Sequence, residues 1–216
     1  IPSNPMEYYI CRQIEQRAPN NFHNRFAQVK GMHMFKKEAF LISNYGARGT
    51  LLDTINVCKE KGNTLMDENV VMYYTIEMLK MLEVLHNQCG IIHCDIKPDN
   101  FLILDEEAKK WDHWSVEGAS GWECKGLTLI DFGKSIDTTL FPQDTVFTGD
   151  FHTPGFGKEL LQGKSWKFNI DAVGFAGVVH CLLHLDYMQT SLTRDKQGRM
   201  RHMPTKPLKR YWQFPL

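Results

Sequence analysis

Eight consecutive residues, His93-Cys94-Asp95-Ile96-Lys97-Pro98-Asp99-Asn100, are followed thirty-one positions after the Asn by Asp131-Phe132-Gly133. Each run comes after a short apolar stretch of strand character, Ile91-Ile92 before the first and residues 127–130 before the second. The side chains at this spacing suit one kind of chemistry. A carboxylate can orient a hydroxyl group and take its proton, while an amide oxygen and a second carboxylate can hold cations that bridge phosphate oxygens. Phosphoryl transfer asks little more of a protein. Either run alone arises by chance; both in this order restrict the folds that fit.

Asp95 and Asn100 stand at the spacing of the protein-kinase catalytic loop, and Asp131 heads an Asp-Phe-Gly of the metal-binding kind. The expected fold is therefore α+β and two-lobed, a protein-kinase fold. A small, partly β N-lobe would occupy residues 1–46, truncated, with the hinge at its end. A mainly α C-lobe would occupy residues 47–216, truncated at its C-terminal end, with an insertion at 105–126 rich in Trp, Asp, Glu, Gly and Ser. ATP and Mg²⁺ are the expected cofactors. Asp95 is the candidate base, and Lys97 the cation that neutralises charge gathering on the transferred group. Asn100 and Asp131 are the candidate metal ligands. His93 is expected to bond backbone within the loop and Phe132 to pack beneath the cleft, both structural. Gly133 frees the backbone to turn away after Asp131.

Composition narrows the setting. The 216 residues are 43% hydrophobic and 23% charged, enough for a sizeable core, and 25 Lys and Arg balance 25 Asp and Glu. No global field favours nucleic acid or an anionic membrane, and the longest nearly apolar stretch, residues 172–179, is far below the roughly 20 residues a spanning helix needs. Six cysteines without a Cys-x-x-Cys pair read as reduced thiols, and nine histidines without paired spacing do not build a zinc site. A cytosolic or nuclear compartment follows.

Along the chain, Asn4-Pro5-Met6-Glu7 has the form of a helix start, Asn as N-cap and Pro at the first helical position, with the helix running to about 18 before Pro19. Residues 26–29 and 39–42 read as a strand pair around a basic turn at Lys36-Lys37. Gly46 and Gly49 mark a joint ahead of a short helix from 51 to about 59. Val71, Tyr74, Met78, Met81, Leu82 and Leu85 recur at three- and four-residue steps after Asp67, a helix whose Met and aromatic stripe is core. Gly90 lies past its end. A last helix is expected from Asp171 to about 183. From 194 to 210 seven Lys or Arg face the single acid Asp195, a basic stretch that either docks acidic partners or is a solvated face.

The loop after Gly133, to about residue 158, carries Thr138, Thr139, Thr145, Thr148 and Thr153. Many kinases are switched there by a phosphate paired to an Arg before the catalytic Asp. Cys94 holds that position here and cannot pair with phosphate. Glu7 has two compatible roles, partner of a nucleotide-gripping strand lysine or second half of a capping box with Asn4. A Gly-x-Gly-x-x-Gly loop and that lysine do not precede Glu7, where only six residues stand, and Lys30, Lys36 and Lys37 come after the helix. The chain as given is thus expected to be an incomplete catalytic domain of low activity and marginal stability.

Longer runs carry a narrower resemblance. Residues 4–10, 49–56 and 91–101, Ser135-Ile136-Asp137 with Leu140-Phe141-Pro142, Thr145-Val146-Phe147-Thr148, and Trp166 leading to Asp171 and Gly174 resemble the budding-uninhibited-by-benzimidazole mitotic checkpoint serine/threonine kinases over nearly the whole chain. The resemblance implies phosphorylation of Ser/Thr in protein substrates, a histone tail and checkpoint proteins among them. It also implies spindle-checkpoint partners at the kinetochore of mitotic chromosomes, in the nucleus and also the cytoplasm. It assigns Glu7 to the missing lysine and Asn44, Tyr45 and Gly46 to the adenine-contacting hinge, with Ser43 at the back pocket. Asp171 braces the catalytic loop. Glu159 closes the activation segment, although the stretch from Thr153 to Glu159 is one residue short of the usual pattern. Direct nucleic-acid or membrane binding is not implied. Two other readings stay open. A checkpoint pseudokinase acting as scaffold would have lost the catalytic Asp or metal ligands, all intact here; a small-molecule kinase fits the Lys97-Pro98 pair and the Thr-rich segment less well.

Overall fold

The computed structural model describes residues 5–62, 65–105, 125–149, 161, 163–194 and 198–206. Asn4, Thr153, Glu159 and most of the 105–126 insertion lie outside them.

Helix α1 spans Met6–Arg17. Pro5, with φ −76°, is pre-set for the helix it introduces, and its carbonyl accepts the Tyr9 N–H at 2.9 Å. Ala18 is driven into the extended region by the ring of Pro19, which ends the helix one residue short of the expected boundary. Ile10, Cys11 and Ile14 form its buried stripe.

Strands β1 (Val29–Met34) and β2 (Ala39–Ser43) pair antiparallel around the basic turn, with a register irregularity between Val29 and Gly31. The expected start of the first strand at residue 26 is corrected. Phe26 is buried and bridges to Leu129, whose carbonyl accepts the Ala27 N–H at 2.9 Å, so residues 26–28 belong to the tie between this hairpin and the rest of the protein.

Helix α2 (Leu51–Glu60) begins at a reciprocal cap that the linear reading passed over. Thr50 Oγ1 accepts the Asp53 N–H and Asp53 accepts the Thr50 N–H at 2.7 Å. Helix α3 (Glu68–Glu83) starts on Asp67, whose carboxylate accepts the Asn69 N–H, and buries Val71, Met78, Met81 and Leu82. It does not stop at its α-helical end. Residues Val84–Gln88 continue as a π-helical turn, with the Cys89 N–H bonded to the Val84 carbonyl.

Two antiparallel pairs then carry the motifs. Strand β3 (Ile91–Ile92) pairs with β6 (Ile136–Asp137), and β4 (Phe101–Asp105) pairs with β5 (Lys125–Leu129), Phe101 opposite Leu129. Helix α4 spans Asn169–His184, starting two residues before the expected position. The basic stretch near residue 194 is in part a hairpin, β7 (Thr190–Arg194) with β8 (Met200–Pro204), which the reading by charge did not detect. One continuous core joins α1, α3, α4 and the strands, with Ile10, Phe26, Met78, Leu85, Phe101, Phe132 and Leu182 buried in it. Among the described residues no helix is long and apolar enough to cross a membrane.

Candidate active site

The strand pairs assemble the site. Because β4 and β5 are in register from Phe101 opposite Leu129, Asn100 and Ile130 meet at their ends, and the Ile130 N–H donates to the Asn100 carbonyl at 2.9 Å. Asn100 and Asp131, thirty-one positions apart in sequence, are thereby held one residue from direct backbone contact. The β3–β6 pair does the same for the catalytic-loop run and the segment after Gly133, where Ser135 Oγ donates to the His93 carbonyl at 3.2 Å.

The loop itself hangs on one buried carboxylate. Asp171, on α4 and fully buried, accepts the His93 N–H at 2.7 Å and the Cys94 N–H at 2.8 Å, and lies 2.9 Å from His86 Nε2. His86 reaches it from the π-helical turn, a side chain whose position the periodicity of α3 does not reveal. The two N–H groups held by Asp171 bracket a backbone in the left-handed region, φ +65° at Cys94. Asp131 has φ +63°. Such conformations cost about 1–3 kcal/mol in a non-glycine residue and persist where the surroundings over-determine them. Both lie at the candidate catalytic carboxylates, one just before Asp95 and the other at Asp131 itself.

His93 is completely buried. Its Nδ1 accepts the Asp95 N–H at 3.2 Å, which leaves Nε2 to donate to the Ile130 carbonyl at 3.0 Å. Burial holds its pKa below the ordinary value, so the ring is neutral and wholly engaged in tying the loop to the segment between β5 and Asp131. The Phe132 ring, also fully buried, meets it edge-on at 5.0 Å.

Asp95 is buried to 5% exposure at the centre. Lys97 Nζ and Lys134 Nζ each lie 3.1 Å from its Oδ2. For Lys97, burial works to lower the pKa, but the hydrogen bond and charge of Asp95, with Asp99 and Asp131 beyond, outweigh it and the ammonium is held above its ordinary value. Asn100 Nδ2 donates to the Asp95 carbonyl at 2.9 Å, which fixes the amide and leaves Oδ1 as its acceptor end. Lys134 was not among the residues singled out from the sequence, although its place directly after Asp-Phe-Gly is a signal available there.

Beside these residues a cleft of about 530 Å³ opens between β1–β2 and β4–β5. Val29, Leu41, Leu102 and Ile130 give it apolar walls, and Ser43, Asn44, Tyr45 and Gly46 line one side. Glu7 and Asp131 line it as well. Burial first, then the nearby Asp131 charge, push the Glu7 carboxyl above its ordinary value, against the lowering effect of a hydrogen bond from the Phe132 N–H. Glu7 is thus turned to the Asp-Phe-Gly segment; its capping partner Asn4 lies outside the described residues.

The family model of the protein kinase domain matches residues 6–209, a span that takes in Glu7, Asp95, Asn100, Asp131 and Asp171. The chain belongs to the protein kinase family. Its similarity to checkpoint kinases is closer than the fold alone requires. It is 40% identical over 216 residues to the mitotic checkpoint serine/threonine-protein kinase BUB1 of Arabidopsis thaliana, covering 100% of this chain and 41% of that protein. To the spindle assembly checkpoint kinase BUB1 of Saccharomyces cerevisiae it is 37% identical, covering 98% and 21%. To BUB1 of Mus musculus it is 39% identical over 189 residues, 87% of this chain and 17% of that one. The crystal structure of the BubR1 kinase domain superposes with a TM-score of 0.80 at 32% identity, covering 98% of this chain and 60% of the other. The chain thus spans between 17% and 41% of the length of these curated relatives.

A protein kinase domain uses ATP and a divalent metal, and the residues present fit both. The cleft has the size and apolar walls of a nucleotide-base pocket. The exposed Asp131 carboxylate, which lines the cleft, and the acceptor end of the buried Asn100, whose backbone bonds Ile130, are hard oxygen donors.

Proposed function

We propose that this kinase transfers the γ-phosphate of Mg-ATP to serine or threonine hydroxyls of protein substrates in spindle-checkpoint signalling. The observation that carries the reading is the state of Asp95, a buried carboxylate in a loop pinned by Asp171 and linked through Asn100 and His93 to Ile130, which precedes Asp131. Asp95 receives the substrate hydroxyl proton, and Lys97 offsets charge on the transferred group. Asn100 and Asp131 would hold Mg²⁺, which would supply positive charge to offset that of the nucleotide phosphates. Asn44, Tyr45 and Gly46, which line the cleft, would border the adenine, and Glu7 would be the partner of a nucleotide-gripping strand lysine that this sequence does not include. Similarity to checkpoint kinases supports checkpoint proteins and a histone tail as substrates, kinetochore proteins as partners, and a place at the kinetochore in the nucleus. The intact set Asp95, Lys97, Asn100 and Asp131 favours an enzyme over a pseudokinase scaffold.

Phosphate transfer from Mg-ATP to histone by the full-length kinase, with Asp95→Asn run in parallel, tests the reading. The expected loss in the variant is on the order of 10²–10⁴ in rate. Equal transfer by both proteins, or none from folded wild type, would leave the scaffold reading in its place.

A further inference from the structure

Asp137, at the end of β6, is 1% exposed, and five hydrogen bonds converge on its carboxylate. Arg17 approaches as a fork, Nη1 to Oδ1 at 3.0 Å and Nη2 to Oδ2 at 2.9 Å. Tyr9 Oη donates to Oδ2 at 2.9 Å, and Thr139 donates to Oδ1 through both its N–H and its hydroxyl. Burying a carboxylate costs several kcal/mol unless it is paired and fully bonded, so this one holds its surroundings together or destabilises them. What it holds is specific. Tyr9 and Arg17 lie two turns apart on α1, with Gln13 between them accepting from Arg17 Nη2 at 2.7 Å. Arg17 Nη1 also reaches the Cys89 carbonyl at 2.7 Å, ahead of β3. Asp137 itself stands opposite Ile91, two residues before His93.

The polar face of α1 is thus bolted to the strand pair that carries the catalytic loop, while Glu7, near the start of the same helix, meets the Asp-Phe-Gly backbone. Placement of this helix is what phosphorylation of the following loop controls in kinases that need it. Here Cys94 stands where the phosphate-pairing arginine would be, and a carboxylate built into the chain already occupies a bidentate arginine on the helix.

We propose that Asp137 is a positioning residue for phosphoryl transfer, clamping α1 through Tyr9 and Arg17 so that Glu7 stays aligned with Asp131 without a phosphate on the loop after Gly133. The proposal rests on the kinase reading for its rate consequences, but the clamp itself has an independent signature.

Two measurements test it on the full-length kinase carrying Asp137→Asn, Tyr9→Phe or Arg17→Lys. In amide hydrogen exchange, residues 6–17 should exchange faster in each variant, most in Asp137→Asn, with α3 unchanged. In steady-state kinetics kcat should fall by about 10² in Asp137→Asn, the scale of a small misplacement of reacting groups, with the KM for ATP moving less than about threefold. Tyr9→Phe removes one hydrogen bond without stranding a charge and folds even if Asp137→Asn does not; it should lose several-fold in kcat, and Arg17→Lys, which keeps charge but not the fork, should fall between. Phosphatase treatment should leave wild-type kcat unchanged. Unaltered exchange of α1 in folded Tyr9→Phe and Asp137→Asn, or a wild-type rate that collapses on dephosphorylation, overturns the clamp. If wild type shows no Asp95-dependent transfer, the kinase reading fails and the exchange measurement alone decides the clamp.

Discussion

Asp95 shares one oxygen with two ammonium groups at the same distance, and the two lysines are not equivalent. The Lys97 side chain is 27% exposed, rooted in an extended loop backbone, and held by Asp95 above its ordinary pKa. The Lys134 side chain is 65% exposed. An exposed pair contributes roughly 0–1 kcal/mol, because solvent screens it and the side chain loses entropy in holding it. Lys97→Met is accordingly expected to lower kcat on the order of 10², as loss of a transition-state donor does, and Lys134→Met by less than about tenfold. Steady-state kinetics on the two variants decides; the reverse ranking would make Lys134 the cation that faces phosphate. Asp95, Asn100 and Asp131 were readable in sequence as candidates because each motif is a short local run. Cys94 was readable as the loss of an arginine. Its left-handed backbone, stabilised by a carboxylate 77 positions away, was not.

Helix α4 meets the catalytic loop at two positions one turn apart. Asp171 holds the His93 and Cys94 N–H groups, and Gly174 admits the Ile96 carbonyl. A Cβ on Gly174 would lie 2.7 Å from both the Ile96 carbonyl oxygen and its Cβ. Glycine inside a helix costs about 1 kcal/mol relative to alanine, and that cost is accepted here for closeness of approach. Gly174→Ala should therefore be destabilising by about 1–3 kcal/mol despite better helix propensity, and should lower kcat as the loop is displaced. Gly31→Ala, which meets no atom within 4 Å, is the comparison and should be near neutral. Urea unfolding of the two variants separates them; a Gly174→Ala protein as stable as wild type would mean that the loop yields freely. Among the elements, α3 was legible from its apolar period. Its π-helical continuation was not, because an extra residue per turn changes which side chain points where without changing composition. The β7–β8 hairpin was hidden by polar, charged strands whose pairing rests on backbone bonds.

Across the molecule, two buried groups link stability to pH in the same direction. His93 has a lowered pKa in the folded protein, so the unfolded chain binds a proton near pH 6.5 that the folded chain refuses, and stability falls as pH drops below about 6.5. For Asp137, burial alone would raise the pKa, but the hydrogen bonds from Arg17, Thr139 and Tyr9 outweigh it and lower it from 3.8 to about 2. Its contribution, on the order of 2 kcal/mol, is complete above pH 3.8 and is lost as pH falls from there to about 2. Unfolding free energy followed from pH 8 into acid should decline first below about 6.5 and again below 3.8. Asp137→Asn should weaken the second decline while leaving the first, since Asp53 and Asp186 are also held below their ordinary value, and should be less stable than wild type at pH 7. Stability that rises on acidification from 7 to 5 would contradict the buried neutral state of His93.

The sequence by itself determined the family and the candidate chemistry. The candidate catalytic and metal-binding residues sit in short runs, and a short run keeps its meaning when read as a string. Helix α1 followed from Pro5 and Pro19 at its ends, and α3 from its apolar period with Gly90 beyond it. Tertiary structure alone decided what holds those runs in place. The Arg17–Asp137 fork joins residues 120 positions apart, and the Asp171 grip on Cys94 spans 77. The physical reason is the same in each case: one carboxylate is stable in a buried position only where donors from distant elements converge on it, and convergence is a property of the folded chain.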